Sequence, residues 1–133
     1  MKTIRPYLCF LIDDDVDDQE IFNMAIQNLD IEIICETANN GVEALERFIS
    51  DKDFCPDIVF IDINMPKMNG IQCLQELKRL GPDKGSTIII YSTAKDKFIT
   101  DRLEELGVKE FIEKPSSFNL LTESLSRIFN ELY

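Results

Sequence analysis

Ile58-Val59-Phe60-Ile61-Asp62-Ile63-Asn64-Met65-Pro66-Lys67-Met68-Asn69-Gly70 decides how this chain is read. Four apolar residues run straight into one carboxylate, and Pro66 and Asn69-Gly70 then break the run. A continuous apolar stretch of this kind reads as a strand buried on both faces, as in a parallel sheet. Proline and Asn-Gly end it in a loop. Asp62 therefore stands where a buried strand leaves the sheet, the edge at which open α/β sheets bind ligands. A carboxylate in that place is either a capping residue or a reacting group, and the rest of the sequence bears on which.

Outward from this block, two further apolar runs end in polar residues. Tyr7 to Ile12 runs into Asp13-Asp14, and Ile88 to Tyr91 runs into Ser92-Thr93. Ile31 to Glu36 and Val108 to Ile112 are mixed strands that carry charges, the second followed by Lys114-Pro115. Between the strands the apolar period changes to that of a helix. The first helix carries Ile21, Phe22, Ala25, Ile26 and Leu29, and the second Val42, Leu45, Phe48 and Ile49. Ile71, Leu74 and Leu77 mark a third. Phe98, Ile99, Leu103 and Leu106 mark a fourth, stopped by Gly107. The last helix is expected to bury Phe118, Leu121, Leu125, Ile128, Phe129 and Leu132. Asn39-Asn40-Gly41 and Gly81-Pro82-Asp83-Lys84-Gly85 read as loops.

Five strands alternating with five helices, (βα)5, imply an α/β fold with a parallel sheet. The fully apolar strands one, three and four belong in the centre, and the charged strands two and five at the edges. With right-handed crossovers this predicts a flavodoxin-like doubly wound parallel sheet of order 2-1-3-4-5.

Composition narrows the function. The 133 residues carry 25 acids against 14 bases, a net charge of −11, which disfavours binding to nucleic acid or to an anionic membrane surface. With no histidine and four cysteines, none in a C-x-x-C pair, zinc and haem attachment are not expected. Cys9, Cys35, Cys55 and Cys73 read as structural. Residues 1–6 lack the apolar core of a signal peptide, and no segment has the apolar length of a membrane span. The expectation is a cytoplasmic, reduced, single domain over 1–133 with no output domain.

All the strand-end polar residues lie on one rim of a parallel sheet. The order 2-1-3-4-5 places its switch point between strands one and three, so Asp13, Asp14 and Asp62 should converge there. Three carboxylates repel one another, and a hard divalent cation relieves them; Mg2+ takes few carboxylates and favours phosphate oxygens. Ser92 and Lys114 could hold the remaining oxygens of a phosphoryl group. Asp62 could be the nucleophile of an aspartyl phosphate. The bland reading of Asp13 to Asp18 is a capped and charged helix start; it is preferred for Asp17 and Asp18 and disfavoured for Asp13 and Asp14.

The chain resembles the receiver domain of two-component response regulators, of the stand-alone, chemotaxis-regulator-like type, over almost its whole length. The resemblance rests on Ile12-Asp13-Asp14-Asp15, Asn40-Gly41-x-Glu43-Ala44-Leu45, Asp62-x-Asn64-Met65-Pro66-x-Met68-Asn69-Gly70, Tyr91-Ser92-Thr93-Ala94 and Phe111-x-x-Lys114-Pro115. It implies that Asp62 accepts a phosphoryl group from a histidine kinase or phosphotransfer protein. Metal ligands would be Asp13, Asp14, Asp62 and the Asn64 backbone carbonyl, with Mg2+ as cofactor. Ser92, preferred over Thr93 by the family's spacing, would bond the phosphoryl oxygen, and Phe111 would swing inward as Ser92 moves. Plain edge-strand core is the competing reading of Phe111. Lys114 would pair with the phosphoryl charge, aimed by a cis bond to Pro115. Asn64 and Ala94 resemble positions that tune acyl-phosphate hydrolysis. A downstream effector protein would dock on the face of the fourth helix, fifth strand and fifth helix, with Lys95, Lys97 and Lys109 as exposed contacts. The chain itself would be a monomer or weak dimer, a signalling module rather than an enzyme.

Other classes compete. A haloacid-dehalogenase-type phosphatase would use Asp13 as nucleophile with Ser92 and Lys114, but would leave the Asp62 block unexplained and lacks a late acidic pair. A binding scaffold that takes no phosphate is opposed by the intact Asp13, Asp14, Asp62, Ser92 and Lys114 set. A nucleotide or flavin site lacks a glycine-rich loop after strand one.

Overall fold

The apolar runs become the strands of a five-stranded parallel sheet in the order β2-β1-β3-β4-β5, as the pattern of charged and apolar strands predicted. The computed structural model describes residues 5–80, 85–93 and 97–132. The strands are β1 (Tyr7–Ile12), β2 (Ile33–Ala38), β3 (Ile58–Ile61), β4 (Thr87–Ser92) and β5 (Glu110–Glu113). Among the described residues the helices are α1 (Val16–Gln27), α2 (Gly41–Ser50), α3 (Gly70–Leu80), α4 (Lys97–Thr100), α5 (Leu103–Leu106) and α6 (Phe118–Glu131). The expected loop residues Gly81 to Lys84, together with Ala94 and Lys95, lie outside the described residues.

Strand alternation sorts the core into two layers. Cys9, Leu11, Ile58, Phe60, Ile89, Tyr91 and Ile112 face one side, where they meet Phe22 and Ile26 of α1 and Leu125, Ile128 and Phe129 of α6. Phe10, Ile12, Val59, Ile61, Ile88, Ile90 and Phe111 face the other, against Ala44 and Phe48 of α2 and Leu74 and Leu77 of α3. Edge-to-face aromatic contacts knit each layer: Phe22 on Phe60 at 5.0 Å and Phe10 on Phe54 at 5.0 Å between ring centroids.

Several boundaries differ from the sequence pattern. Strand two starts two residues late and runs on to Ala38, because it pairs with β1 along its whole length, Tyr7 opposite Ile33 and Ile12 opposite Ala38. Val108 belongs to the preceding helix end: Gly107 takes a left-handed conformation and the Val108 N–H donates to the Leu103 carbonyl at 2.8 Å. The expected fourth helix is two short segments, α4 and α5, separated at Asp101-Arg102. Its apolar residues do not form one stripe: Ile99 is buried, while Phe98 is exposed under the Arg102 guanidinium at 3.8 Å. Ile21, Val42 and Ile49 are also exposed, since the buried faces of α1 and α2 are carried by Phe22, Ala25, Ile26, Ala44 and Phe48. Phe118 is exposed as well: it is the first residue of α6 and lines, with Ile21 and Met24, a cleft of about 200 Å³ against α1. Lys97 and Lys109, expected as exposed contacts, are ion-paired to Asp101 and Glu131.

The loop after β3 is held tightly. Lys67 has φ 68, and the Met68 N–H donates to the Pro66 carbonyl across it at 2.7 Å. Gly70 then starts α3 directly against the peptide of Asp62, where a Cβ would overlap the Asp62 carbonyl. Only glycine permits this approach. Gly70→Ala should therefore destabilise the chain by about 1–3 kcal/mol, read as a lower urea midpoint; an unchanged midpoint would show that the loop yields freely.

Candidate functional site

The sheet delivers its strand-end residues by register and face. Ile12 of β1 lies opposite Ile61 of β3, so the next residues, Asp13 and Asp62, emerge side by side. Each continues the row of its strand that faces α1 and α6, after Leu11 and Phe60. Lys114 follows Ile112 on the same face at the end of β5. Its N–H donates to the Ser92 carbonyl at 2.7 Å, which ties the ends of β4 and β5 together. Asp13, Asp62 and Ser92 are all buried.

The side chains meet as the strand-end pattern predicted. The Ser92 hydroxyl donates to Asp62 Oδ1 at 2.9 Å. Lys114 Nζ donates to Asp62 Oδ2 at 3.3 Å and lies 2.8 Å from Asp13 Oδ2. Its ammonium also sits 5.4 Å from the Tyr91 ring centroid, within cation–π range. Asp14 is exposed at the mouth of the site, and Asn64 is exposed in the loop beyond Asp62. Phe111 is buried in the layer facing α2 and α3.

Two residues enter the site that the pattern did not single out. Asp18 reads in the sequence as helix-start charge, yet its Oδ2 accepts from Lys114 Nζ at 2.7 Å. The N-cap of α1 is Asp15, whose side chain accepts from the Asp18 N–H at 3.1 Å. Gln19 is buried and its Nε2 donates to the Asp13 carbonyl at 2.6 Å and to Asn39 Oδ1 at 2.8 Å. It thereby pins the loop after β1 to the loop after β2. Only the helical period could have hinted at either: both lie on the first turn of α1, on the side toward the sheet. The Lys114–Pro115 bond, expected to be cis, is trans, as is every described peptide bond. Trans is the intrinsically favoured form by about 0.5–1 kcal/mol, and Lys114 reaches its carboxylates from it.

The electrostatics are uneven. Burial pushes the Asp13 carboxyl up to about 6, against the lowering effects of Lys114 and of the Asp15 N–H, with the Asp62 charge adding to the rise. Burial alone would lower the Lys114 ammonium, but the adjoining Asp13, Asp18 and Asp62 carboxylates outweigh it and hold its pKa above the ordinary range. Asp13 Oδ2 is buried, and the Lys114 ammonium faces it at 2.8 Å. One ammonium is shared among three carboxylates here, so negative charge is left over at the rim. Asp13, Asp14 and Asp62 each offer an oxygen within 4.8 Å of the others, an all-oxygen set that could hold a metal and suits a hard one.

With the geometry in place, the comparisons with known proteins are decisive. Residues 9–126 match the model of the response regulator receiver domain. The chain belongs to that family. This receiver is 32% identical to the chemotaxis protein CheY of Bacillus subtilis over 119 residues, covering 86% of the chain and 94% of that protein. It is 31% identical to the CheY of Thermotoga maritima over 116 residues, covering 85% and 92%. Among solved structures, the phosphorylated cyanobacterial phytochrome response regulator RcpA superposes with a TM-score of 0.82 at 23% identity, over 93% of this chain and 91% of that one. The response regulator domain of Thermotoga maritima CheB gives 0.76 at 24% identity, over 96% of each chain. These two likenesses speak to the fold. The receiver is accordingly a two-component signalling module. No helix among the described residues is long and apolar enough to cross a membrane.

The raised Asp13 pKa has a consequence for stability. The folded receiver holds that proton more tightly than the unfolded chain, whose carboxyl titrates near 3.8. The contribution is therefore present below pH 3.8 and is lost as pH rises through about 6. In chelator, the wild type should lose about 2–3 kcal/mol across this window relative to Asp13→Asn. Parallel urea titrations of the two proteins at each pH measure this; parallel stability curves would contradict it.

Proposed function

We propose that Asp62 is the phosphoacceptor of this receiver, taking a phosphoryl group from a phosphohistidine on a histidine kinase or phosphotransfer protein. The observation that carries this reading is the convergence on one carboxylate, at the end of β3, of the Ser92 hydroxyl at 2.9 Å and the Lys114 ammonium at 3.3 Å. A carboxylate needs no base to act as a nucleophile. An Asp62 oxygen forms the new bond to phosphorus as the bond to the donor nitrogen breaks, and the imidazole leaves with the electron pair. Ser92 donates to a phosphoryl oxygen and Lys114 meets its charge, two preset donors in a water-poor site.

Asp13, Asp14, Asp62 and the Asn64 carbonyl would hold Mg2+, which when bound offsets the negative charge that gathers on the phosphoryl oxygens. The excess of carboxylates over the single Lys114 ammonium, and the close approach of the Asp13, Asp14 and Asp62 oxygens, support this assignment. An Asp13-centred phosphatase fits less well, because Asp13 Oδ1 already accepts the Asp15 N–H at 3.0 Å and Ser92 serves Asp62.

Phosphorylation adds charge beside Ser92 and so biases a two-state equilibrium in the loops after β3 and β4. The readout surface is the α4–α5, β5 and α6 face, with Phe111 answering the movement of Ser92 and a downstream effector protein as the partner. The receiver works in the cytoplasm as a monomer or weak dimer, without nucleic acid or membrane. The receiver domain takes in the matched residues 9–126, and Asn64 lies where hydrolysis of the acyl phosphate is tuned.

Incubation with acetyl phosphate and Mg2+ should add one phosphoryl group to the intact mass. The adduct should be lost in Asp62→Asn and in chelator. An adduct that survives Asp62→Asn would place the acceptor elsewhere.

A further inference from the structure

Lys114 is held by three carboxylates, and two of them have other work. A lysine ammonium has three donors and no acceptor. Here they face Asp13 Oδ2 at 2.8 Å, Asp18 Oδ2 at 2.7 Å and Asp62 Oδ2 at 3.3 Å. The Asp62 contact is the longest of the three. Asp13 and Asp62 belong to the group whose oxygens lie within 4.8 Å of one another, and Asp18 stands outside it. A cation held there would draw on two of the lysine's three partners and leave Asp18 as its anchor.

The Asp18 side chain is committed to this task. A third-position residue of a helix commonly reaches back to the N-cap backbone. Asp18 instead spans 96 residues of sequence to bond Lys114. Its own N–H is fixed by the Asp15 cap at 3.1 Å, so the backbone that carries it is rigid. The site end of Lys114 is otherwise free to turn, because a lysine stem has four rotatable bonds and is a point charge rather than a planar fork.

We infer that Asp18 is a positioning residue for phosphoryl transfer: it fixes one donor of the Lys114 ammonium so that another points at the oxygens on Asp62. This rests on the phosphoacceptor reading of Asp62. Its role is that of a hydrogen-bond acceptor; its negative charge opposes the arrival of further negative charge and contributes nothing to the rate. Asparagine should therefore replace it, and alanine should not.

The test uses the full chain, with acetyl phosphate as donor and Mg2+ present. The P–O bond to acetate breaks as Asp62 forms its own, and acetate leaves with the electron pair. Asp18→Ala should slow phosphoryl uptake about tenfold, while Asp18→Asn stays within about twofold of the wild type. Asp17→Ala, which removes a charge from the same exposed helical turn, should leave the rate unchanged. A second readout needs no phosphate or metal: the 15N–1H signal of the Lys114 ammonium, assigned by its loss in Lys114→Arg. It should be present in wild type and Asp18→Asn and broadened away in Asp18→Ala.

An Asp18→Ala protein as fast as wild type, or an Asp18→Asn protein as slow as Asp18→Ala, would overturn the inference. So would an equal loss in Asp17→Ala, which would mark a general helix-start effect. Wild-type uptake with these outcomes leaves the Asp62 reading standing; a wild type that takes no phosphoryl group overturns both.

Discussion

One buried ammonium among several carboxylates is the interaction on which this site depends. Lys114 faces Asp13, Asp18 and Asp62 at the end of a sheet whose central strands β1 and β3 are apolar on both faces. Charges so placed interact more strongly than they would in water, and a buried carboxylate without a partner is costly. One lysine does not neutralise three acids. Asp13 is driven upward chiefly by its burial, and the adjoining carboxylates hold Lys114 protonated. A core selected for stability alone would have matched the charges. The mismatch leaves a cluster of carboxylates that could hold a cation, and it follows the general pattern that local rules are broken at functional sites.

The sheet makes the mismatch possible through geometry alone. Parallel pairing of β1 with β3 sets Ile12 opposite Ile61, and alternation then sends Asp13 and Asp62 to the same face. That face is covered by α1 and α6, whose side chains fill one layer of the core. The first turn of α1 must therefore pass beside the strand ends, and Asp18 and Gln19 come with it. A one-residue slip of β1 against β3 would send the two carboxylates to opposite faces. The apolar runs that fill the core thus also aim the acids, so stability and site geometry share one cause.

This is why so much was legible in the residues. Continuous apolar runs marked the central strands, charges marked the edges, and the strand-end acids, Ser92 and Lys114 followed from topology. What escaped depends on details that the apolar pattern does not carry. Asp18 looked like one more acid at a helix start, since charge at that position has a local explanation and its partner lies 96 residues away. Phe118 carries the hydrophobicity of a core residue, but it lies at the first position of α6, on an open cleft against α1. The split of the fourth helix was hidden because Phe98, Ile99, Leu103 and Leu106 satisfy helical spacing; only the exposure of Phe98 shows that the stripe was false. The trans bond before Pro115 was missed for a different reason: the residues permit both isomers, and only the backbone decides.

The broken helix also bears on where a charge change at Asp62 would be felt. α4 buries Ile99 alone and α5 buries none of its residues fully, whereas α1, α3 and α6 each bury several. Segments with few buried apolar residues open at low free energy. α4 begins at Lys97, five residues after Ser92, whose hydroxyl touches Asp62 and whose carbonyl accepts from the backbone of Lys114. A pull on Ser92 is therefore shared between β4 and β5 and meets little resistance beyond them. The opposite side of the site is anchored by Gln19, the Asp15 cap and the aromatic layer under α1. Of the two directions in which the strand ends could yield, the one toward α4 and α5 costs less, and that asymmetry is set by packing before any phosphoryl group arrives.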